Sequence, residues 1–566
     1  MSESSVTYTS AAQNEAGAVP KNTAVATYNR TSDGAEIQEV LIGGVKDNNS
    51  ASPVSLTPEG HLEVAIHAPT NPFGSVHVEE LTPVFQTDAV YGLNTQQVVA
   101  TTGLSFGTGA NSGAVTGANN LFKCETGTTQ YSFATLQSRR RLRYRPGQGI
   151  VSRFAGFFST PAANSIIVGG AGTGESGYFF GYNGTQFGIL HSTGGVREIQ
   201  TLTVTTASTA TNNYVVTLPD TSTVSITATN NSSTVKTAYE ISQGVFPGWK
   251  ATAIGSTVVF LANSVGDKSG VFTLAQTGAG SPAAGTCVQT LAGAATTDTW
   301  YYQTAWNGDR LDGSGGDNNP SGVTLDPTKG NVYQIGIQYL GFGAVAFAIE
   351  ICPTNSNNPT FVTVHTIKFN NTRTAVTQSQ PSFPFTMAAY SAGSTTNVSL
   401  SVGSFGGFIE GNRVSIGPRQ TYFNNSGITS STSAYTPIFT VKSNLVFNGR
   451  ANQVVSRLLS LGGAAKSTTG LTTFFLIKDA TLTGTPNFAA WSATSSTLVD
   501  TAATGCSFSD NGQVVFTAPI AESANFDINF ADTEITMQPG ESYTLAVRSV
   551  TATATCIGTL NIREDQ

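Results

Sequence analysis

Short runs rich in β-branched and aromatic residues recur along this chain, separated by turns of Gly, Asn and Ser. His61-Leu-Glu-Val-Ala-Ile-His67 alternates apolar and polar positions, the period of a strand with one buried face. Phe154-Ala-Gly-Phe-Phe158, Tyr178-Phe-Phe-Gly-Tyr182, Thr257-Val-Val-Phe-Leu261 and Gly270-Val-Phe-Thr-Leu274 read as further strands. So do Tyr435-Thr-Pro-Ile-Phe-Thr-Val441, Thr473-Phe-Phe-Leu-Ile477 and Ser542-Tyr-Thr-Leu-Ala-Val547. The best helix candidate is Thr234–Ser242, with Ser233 placed to cap its first turn.

The texture of the runs changes along the chain. Residues 1–100 read as a polar extended arm followed by a small β anchoring region. Residues 101–198 and 297–411 share aromatic strands and read as one jelly-roll-like β-sandwich. Between them, 199–296 is rich in Thr, Ala and Val and reads as a small inserted α+β domain. Residues 412–566 read as a C-terminal β-sandwich. The fold class expected is mainly β, with tandem β-sandwich or jelly-roll domains and a small α+β insertion.

Val332–Cys352 is long enough to span a bilayer, yet Gln334, Gln338 and Glu350 interrupt it. Ile335, Ile337 and Tyr339 recur at every second position, as do Val345, Phe347 and Ile349. Two strands around a Leu340–Gly343 turn are expected, and no membrane span.

Charged residues make up 11% of the chain, against about 25% in ordinary soluble proteins. The 60 glycines and abundant Thr and Ser favour strands and tight turns. A net charge of −7 gives no general attraction for nucleic acid, so no nucleic-acid partner is expected. The N-terminus lacks the basic and apolar regions of a secretory signal. The five cysteines, Cys124, Cys287, Cys352, Cys506 and Cys556, are widely spaced and read as buried reduced thiols.

Two glycine-rich segments imitate catalytic motifs. Gly169–Ser176 nearly matches a phosphate-binding loop, but Glu175 stands where a lysine should meet the phosphates. A strand-like run follows it instead of a helix, so it reads as a hairpin turn. Gly103-Leu-Ser105-Phe-Gly107 matches the nucleophile-elbow pattern without a helix-forming sequel. His61, His67, His77, His191 and His365 form no metal-ligand pair at short spacing.

Two segments hold the candidate site residues. Trp306 with Asp309, Asp312 and Asp317 gathers oxygen ligands and an aromatic ring, suited to calcium or a glycan. No other cofactor is expected. Arg139, Arg140, Arg141, Arg143 and Arg145 form the one dense basic run. Arginine stems packed along a sheet, with their heads pairing across a subunit contact, account for it.

Arg143-Tyr-Arg-Pro-Gly-Gln-Gly149, followed by Phe154–Phe158, resembles a segment of bacteriophage virion structural proteins of the tail, fibre or head-appendage type. Trp306–Gly315, Asn331–Ala344 and Val362–Ile367 are similar to further segments of those proteins. The resemblance covers about 130–411 and is interrupted by 199–296, which is similar to small domains inserted in tail proteins. It implies a jelly-roll-like building block of a virion, assembled in the host cytoplasm, with no catalytic residues. It implies a homotrimer, contacts with other virion proteins and a part in host attachment. A glycan-binding receptor-recognition module is the alternative, with a host-surface glycan as partner. A polysaccharide depolymerase ranks below it.

Overall fold

The computed structural model describes the residues from 81 onward except 106–109, 353–358, 413–416, 467–469, 509–511, 522, 531–534 and 566, and the backbone of five short strands between residues 4 and 52. The chain divides into two units, 1–79 and 80–566. In the first, Ser4–Val6, Val25–Asn29 and Glu36–Glu39 pair as an antiparallel sheet, and Gly44–Val45 pairs with Ala51–Ser52. The strand expected at His61–His67 lies outside the described residues.

The second unit is built almost wholly from antiparallel strands. Its first sandwich has a seven-stranded sheet in the order Thr297–Tyr302, Gln186–Thr193, Gly177–Asn183, Ser165–Gly172, Phe385–Ser391, Ser132–Ser138, Val98–Leu104. The facing sheet runs Thr360–Ile367, Val345–Ile351, Asn331–Ile337, Ile150–Phe158, Ser399–Glu410, Leu121–Glu125, Ala114–Ala118. Leu81–Asp88, assigned by sequence to the N-terminal region, also pairs with Ser399–Glu410. Alternation places aromatics between the layers. Phe154 stacks on Tyr333 at 4.8 Å, Phe180 meets Phe347 at 5.3 Å, and Phe385 stacks on Phe405 at 4.2 Å. Each such pair adds roughly 0.5–1.5 kcal/mol beyond the area it buries. Gly170 has to be glycine, because a Cβ there would lie 2.3 Å from the Tyr178 carbonyl oxygen.

The apolar run at 332–352 forms two paired strands, with Ile335 opposite Phe347 and a turn through Leu340 and Gly341 at positive φ. Among the described residues no helix is long and apolar enough to cross a membrane.

The insertion leaves the first sandwich between two strands that pair with each other, from Gly188 opposite Tyr302 to Thr193 opposite Thr297. At its neck Val196 and Ala294 exchange two backbone hydrogen bonds of 2.9 and 3.0 Å. It therefore stands where a hairpin turn would, with its ends already adjacent, which lets the sandwich close around it. Inside are a four-stranded sheet containing Arg197–Thr206 and Thr257–Val265, a three-stranded sheet and one helix. The helix spans Thr234–Ser242, and the Ser233 hydroxyl accepts from the Lys236 amide at 3.3 Å. Thr237, Ala238 and Ile241 are buried, beside a core in which Phe260 stacks on Phe272 at 3.9 Å. The strand read at Gly270–Leu274 starts later, at Thr273, because Gly270 adopts φ +112°.

The C-terminal sandwich pairs Arg419–Thr429, Thr555–Asp565, Val455–Lys466 and Asn525–Asn529 in one layer. The other layer includes Thr497–Asp500, Thr436–Ser443, Ser542–Ser549, Thr472–Lys478 and Gln513–Ile520. Leu458, Leu461, Leu545 and Leu560 fill the space between, with Phe474 edge-on to Phe526 at 5.0 Å. Against the insertion this sandwich makes an apolar joint: Ile199, Val259 and Leu261 cluster with Leu445 and Ala451. The Gly255 amide donates to the Phe488 carbonyl at 2.9 Å beside it.

Candidate functional site

The basic run lies where the first sandwich meets the C-terminal one. Leu142–Arg143 pairs briefly with Ser382–Phe383, which holds the run extended and sends successive side chains to opposite sides. Arg139 Nη1 meets Glu541 Oε1 at 2.6 Å, and Lys478 Nζ reaches the same oxygen at 2.7 Å. Arg145 Nη2 meets Asp565 Oδ1 at 2.9 Å. Arg140 donates to the Val84 carbonyl at 3.3 Å. Arg141 donates to Gln453 Oε1 at 3.3 Å, and the Gln453 amide donates to Glu175, which also accepts from Arg197 at 2.7 Å. For Arg139 and Arg145 the acidic partners lie within the same chain, Glu541 and Asp565, 402 and 420 residues further along.

Burial shapes the electrostatics of this joint. It lowers the Arg141 guanidinium to about 10, Arg197 pushes in the same direction, and Glu175 opposes them. Arg141 stays charged at neutral pH, so its desolvation is carried as a cost to the fold. Burial also lowers Arg143, with Asp565 opposing and Arg145 adding to the shift. Beside the run, Gln96, Arg139, Lys478, Gln513, Glu541 and Tyr543 line a cleft of about 710 Å³. Gln96 donates across it to Gln513 at 2.9 Å. Amide, cationic, carboxylate and phenolic groups line it together with Phe85, Val515 and Phe516.

The Trp306 segment is built differently from its sequence reading. Trp306 is 2% exposed, its indole N–H donates to the Tyr301 carbonyl at 3.0 Å, and its ring packs edge-on against Phe187. The ring has no free face for a sugar, so the glycan platform placed there is corrected to a core residue. Asp309 is buried, and its two oxygens accept from the Leu311 amide at 3.1 Å and the Ser321 amide at 3.0 Å. The exposed Asp312 accepts from Ser314 and from Asn319, and the Ser314 bonds hold its carboxyl below the ordinary range. Asp317 is exposed in a short 3₁₀ turn, Gly316–Asn318. These carboxylates brace the loop through its own amides. Among the described residues no group of three His, Cys, Asp or Glu side chains is placed to hold a metal ion, which leaves the calcium reading of this segment without a built site.

The imitation motifs also resolve. Gly169–Ser176 runs through the hairpin between Ser165–Gly172 and Gly177–Asn183, and Glu175 pairs with Arg197. Ser105 follows the strand Val98–Leu104, and its hydroxyl donates to the Tyr131 carbonyl at 3.1 Å. Cys124, Cys506 and Cys556 are buried, Cys287 is half-buried and Cys352 is exposed, so the reading of five buried thiols holds for three of them and fails at Cys287 and Cys352. His191 stacks on Tyr178 at 5.0 Å, and His365 accepts from the Asn307 amide at 3.2 Å. Burial lowers both imidazoles to about 4. His61, His67 and His77 lie outside the described residues.

Comparison with known protein families and with curated proteins finds no match for this chain.

Proposed function

We propose that the chain is a structural component of a bacteriophage virion, a tail, baseplate or fibre-type appendage contributing to assembly and host attachment. It carries no catalytic centre in this reading and works as a homotrimer. The observation that supports it best is the way the chain uses its few charges. Only 11% of residues are charged, and the dense basic run is committed to tying one β-sandwich to another. Such internal ties suit a part that bears load. The edge strand Arg419–Thr429 leaves Phe423 50% exposed, and threefold packing would cover edges of this kind.

Light scattering on a sizing column tests the assembly half of the proposal. A species near three times 58.7 kDa is expected. A clean monomer at micromolar concentration would contradict the trimer.

Glycan recognition stands as the second reading, moved from Trp306 to the cleft beside Arg139, where the exposed amides of Gln96 and Gln513 line about 710 Å³. A glycan array probed with the full chain tests it. Binding that Gln513→Ala, at an exposed position, weakens supports this reading, and a blank array removes it.

A further inference from the structure

Residues 368–381 form a strap that carries the chain from Thr360–Ile367, in one sheet of the first sandwich, toward Phe385–Ser391 in the other. The strap inverts the usual pattern of burial. Of residues 370–380 only Thr377 and Gln378 are buried, each 1% exposed, while their apolar neighbour Val376 is 53% exposed. A buried polar side chain needs a partner. The backbone here finds its partners within the chain. The Thr377 amide donates to the Gly341 carbonyl at 3.1 Å, the Thr193 hydroxyl donates to the Thr377 carbonyl at 3.0 Å, and the Tyr339 hydroxyl donates to the Gln378 carbonyl. The two buried side chains do not: Thr377 Oγ1, Gln378 Nε2 and Gln378 Oε1 have no hydrogen-bond partner.

Beside them lie Tyr178 and His191, opposite each other on paired strands, both 0% exposed and stacked ring on ring at 5.0 Å. The Tyr178 hydroxyl and both ring nitrogens of His191 also lack a partner. Burial raises the Tyr178 hydroxyl, and the adjacent Thr377 and Gln378 side chains oppose that rise. Burial, and Arg373 after it, lowers the His191 imidazole, and the adjacent Thr377 backbone opposes that fall. Six polar atoms of four side chains thus converge under the strap. A phenol, a hydroxyl, a carboxamide and an imidazole that is neutral at pH 7 offer donors and acceptors together and no formal charge. That set suits water, which gives and takes hydrogen bonds at once, and not an ion of either sign. Leaving all six atoms unmet would cost a large part of a domain's stability. A buried water makes about three hydrogen bonds, so six atoms call for about two waters.

We infer that Tyr178, His191, Thr377 and Gln378 form a binding site for ordered water, about two molecules, which joins the strap to the first sandwich and holds it closed. The inference concerns the strap alone and rests on no reading of what the chain does.

Magnetic relaxation dispersion of the solvent, which counts long-lived internal waters, tests it on the full chain at pH 7. Gln378→Leu is expected to hold about two fewer such waters than the wild type. An unchanged count in the folded variant overturns the site. Thermal melting supplies a second readout. Tyr178→Phe removes one hydroxyl and keeps the ring, and is expected to lower the transition of the first sandwich by roughly 2–4 °C, because the waters lose a partner. A variant that melts at or above the wild type shows that the hydroxyl was unmet, and overturns the inference. Should Gln378→Leu fail to fold, a high-resolution crystal structure of the wild type decides. Density for waters bonded to the four side chains supports the site, and direct bonds among those side chains overturn it.

Discussion

The C-terminal sandwich is held by two joints of opposite chemistry. Toward the insertion it buries Leu445 and Ala451 against Ile199, Val259 and Leu261. Toward the first sandwich it offers Glu541 and Asp565 to Arg139 and Arg145. Apolar contact is non-directional and indifferent to salt, so that joint fixes that the two bodies touch. Charge pairs need specific geometry and answer to ionic conditions, so the second joint fixes how they are oriented. Five of the chain's 16 arginines, Arg139, Arg140, Arg141, Arg143 and Arg145, lie in the run at this second joint.

The largest test of this contrast lies at the apolar joint. Leu261→Ala is expected to cost roughly 2–5 kcal/mol, as core truncations do. Chemical denaturation should show the same loss at low and high salt. A loss that grows or shrinks strongly with salt would mean the joint is not apolar in character.

Acid should separate the bodies themselves. His191 is fully buried, and burial lowers its imidazole from 6.5 to about 4. The unfolded chain therefore binds a proton that the folded chain refuses between those values. The stability present above pH 6.5 is lost as pH falls toward about 4, by roughly 3 kcal/mol for this group. Sequence positions 412–566 contain no histidine, so the loss falls on the first sandwich. Calorimetric melts between pH 7 and 4.5 should show that transition moving, and His191→Gln should flatten its slope. An unchanged slope in the variant would place the acid sensitivity elsewhere.

A smaller effect is expected at the charged joint. Glu541→Gln leaves Arg139 and Lys478 facing each other without their shared carboxylate. The expected cost is about 1–3 kcal/mol, and it should fall as salt rises. A cost that does not change between 0.05 and 0.5 M salt, roughly a threefold change in screening length, would show that the pair acts by packing alone.

Much of the fold was legible because it is local. The period of two at Ile335, Ile337, Val345 and Phe347 gave both strands, and Ser233 ahead of an apolar stripe marked the start of the only α-helix among the described residues. The site was much less legible. Arg139 was plain as part of a basic run, but its partner Glu541 lies 402 residues away and no local pattern links them. Trp306 beside three aspartates looks like a surface patch in sequence. The 3₁₀ turn Gln303–Ala305 just before it is followed instead by an inward-facing ring, and the choice depends on Phe187 from a distant strand. Asp309 misled for a related reason: carboxylates that cap backbone amides have the same composition as carboxylates that wait for a cation.

Membership of a virus particle is what we propose for this chain. Quantitative mass spectrometry of gradient-purified virions, from a lysate in which the chain is expressed at its natural level, decides it. The chain is expected to sediment with the particles at a fixed copy number that is a multiple of three. Its confinement to the soluble fraction, absent from intact particles, would contradict the claim.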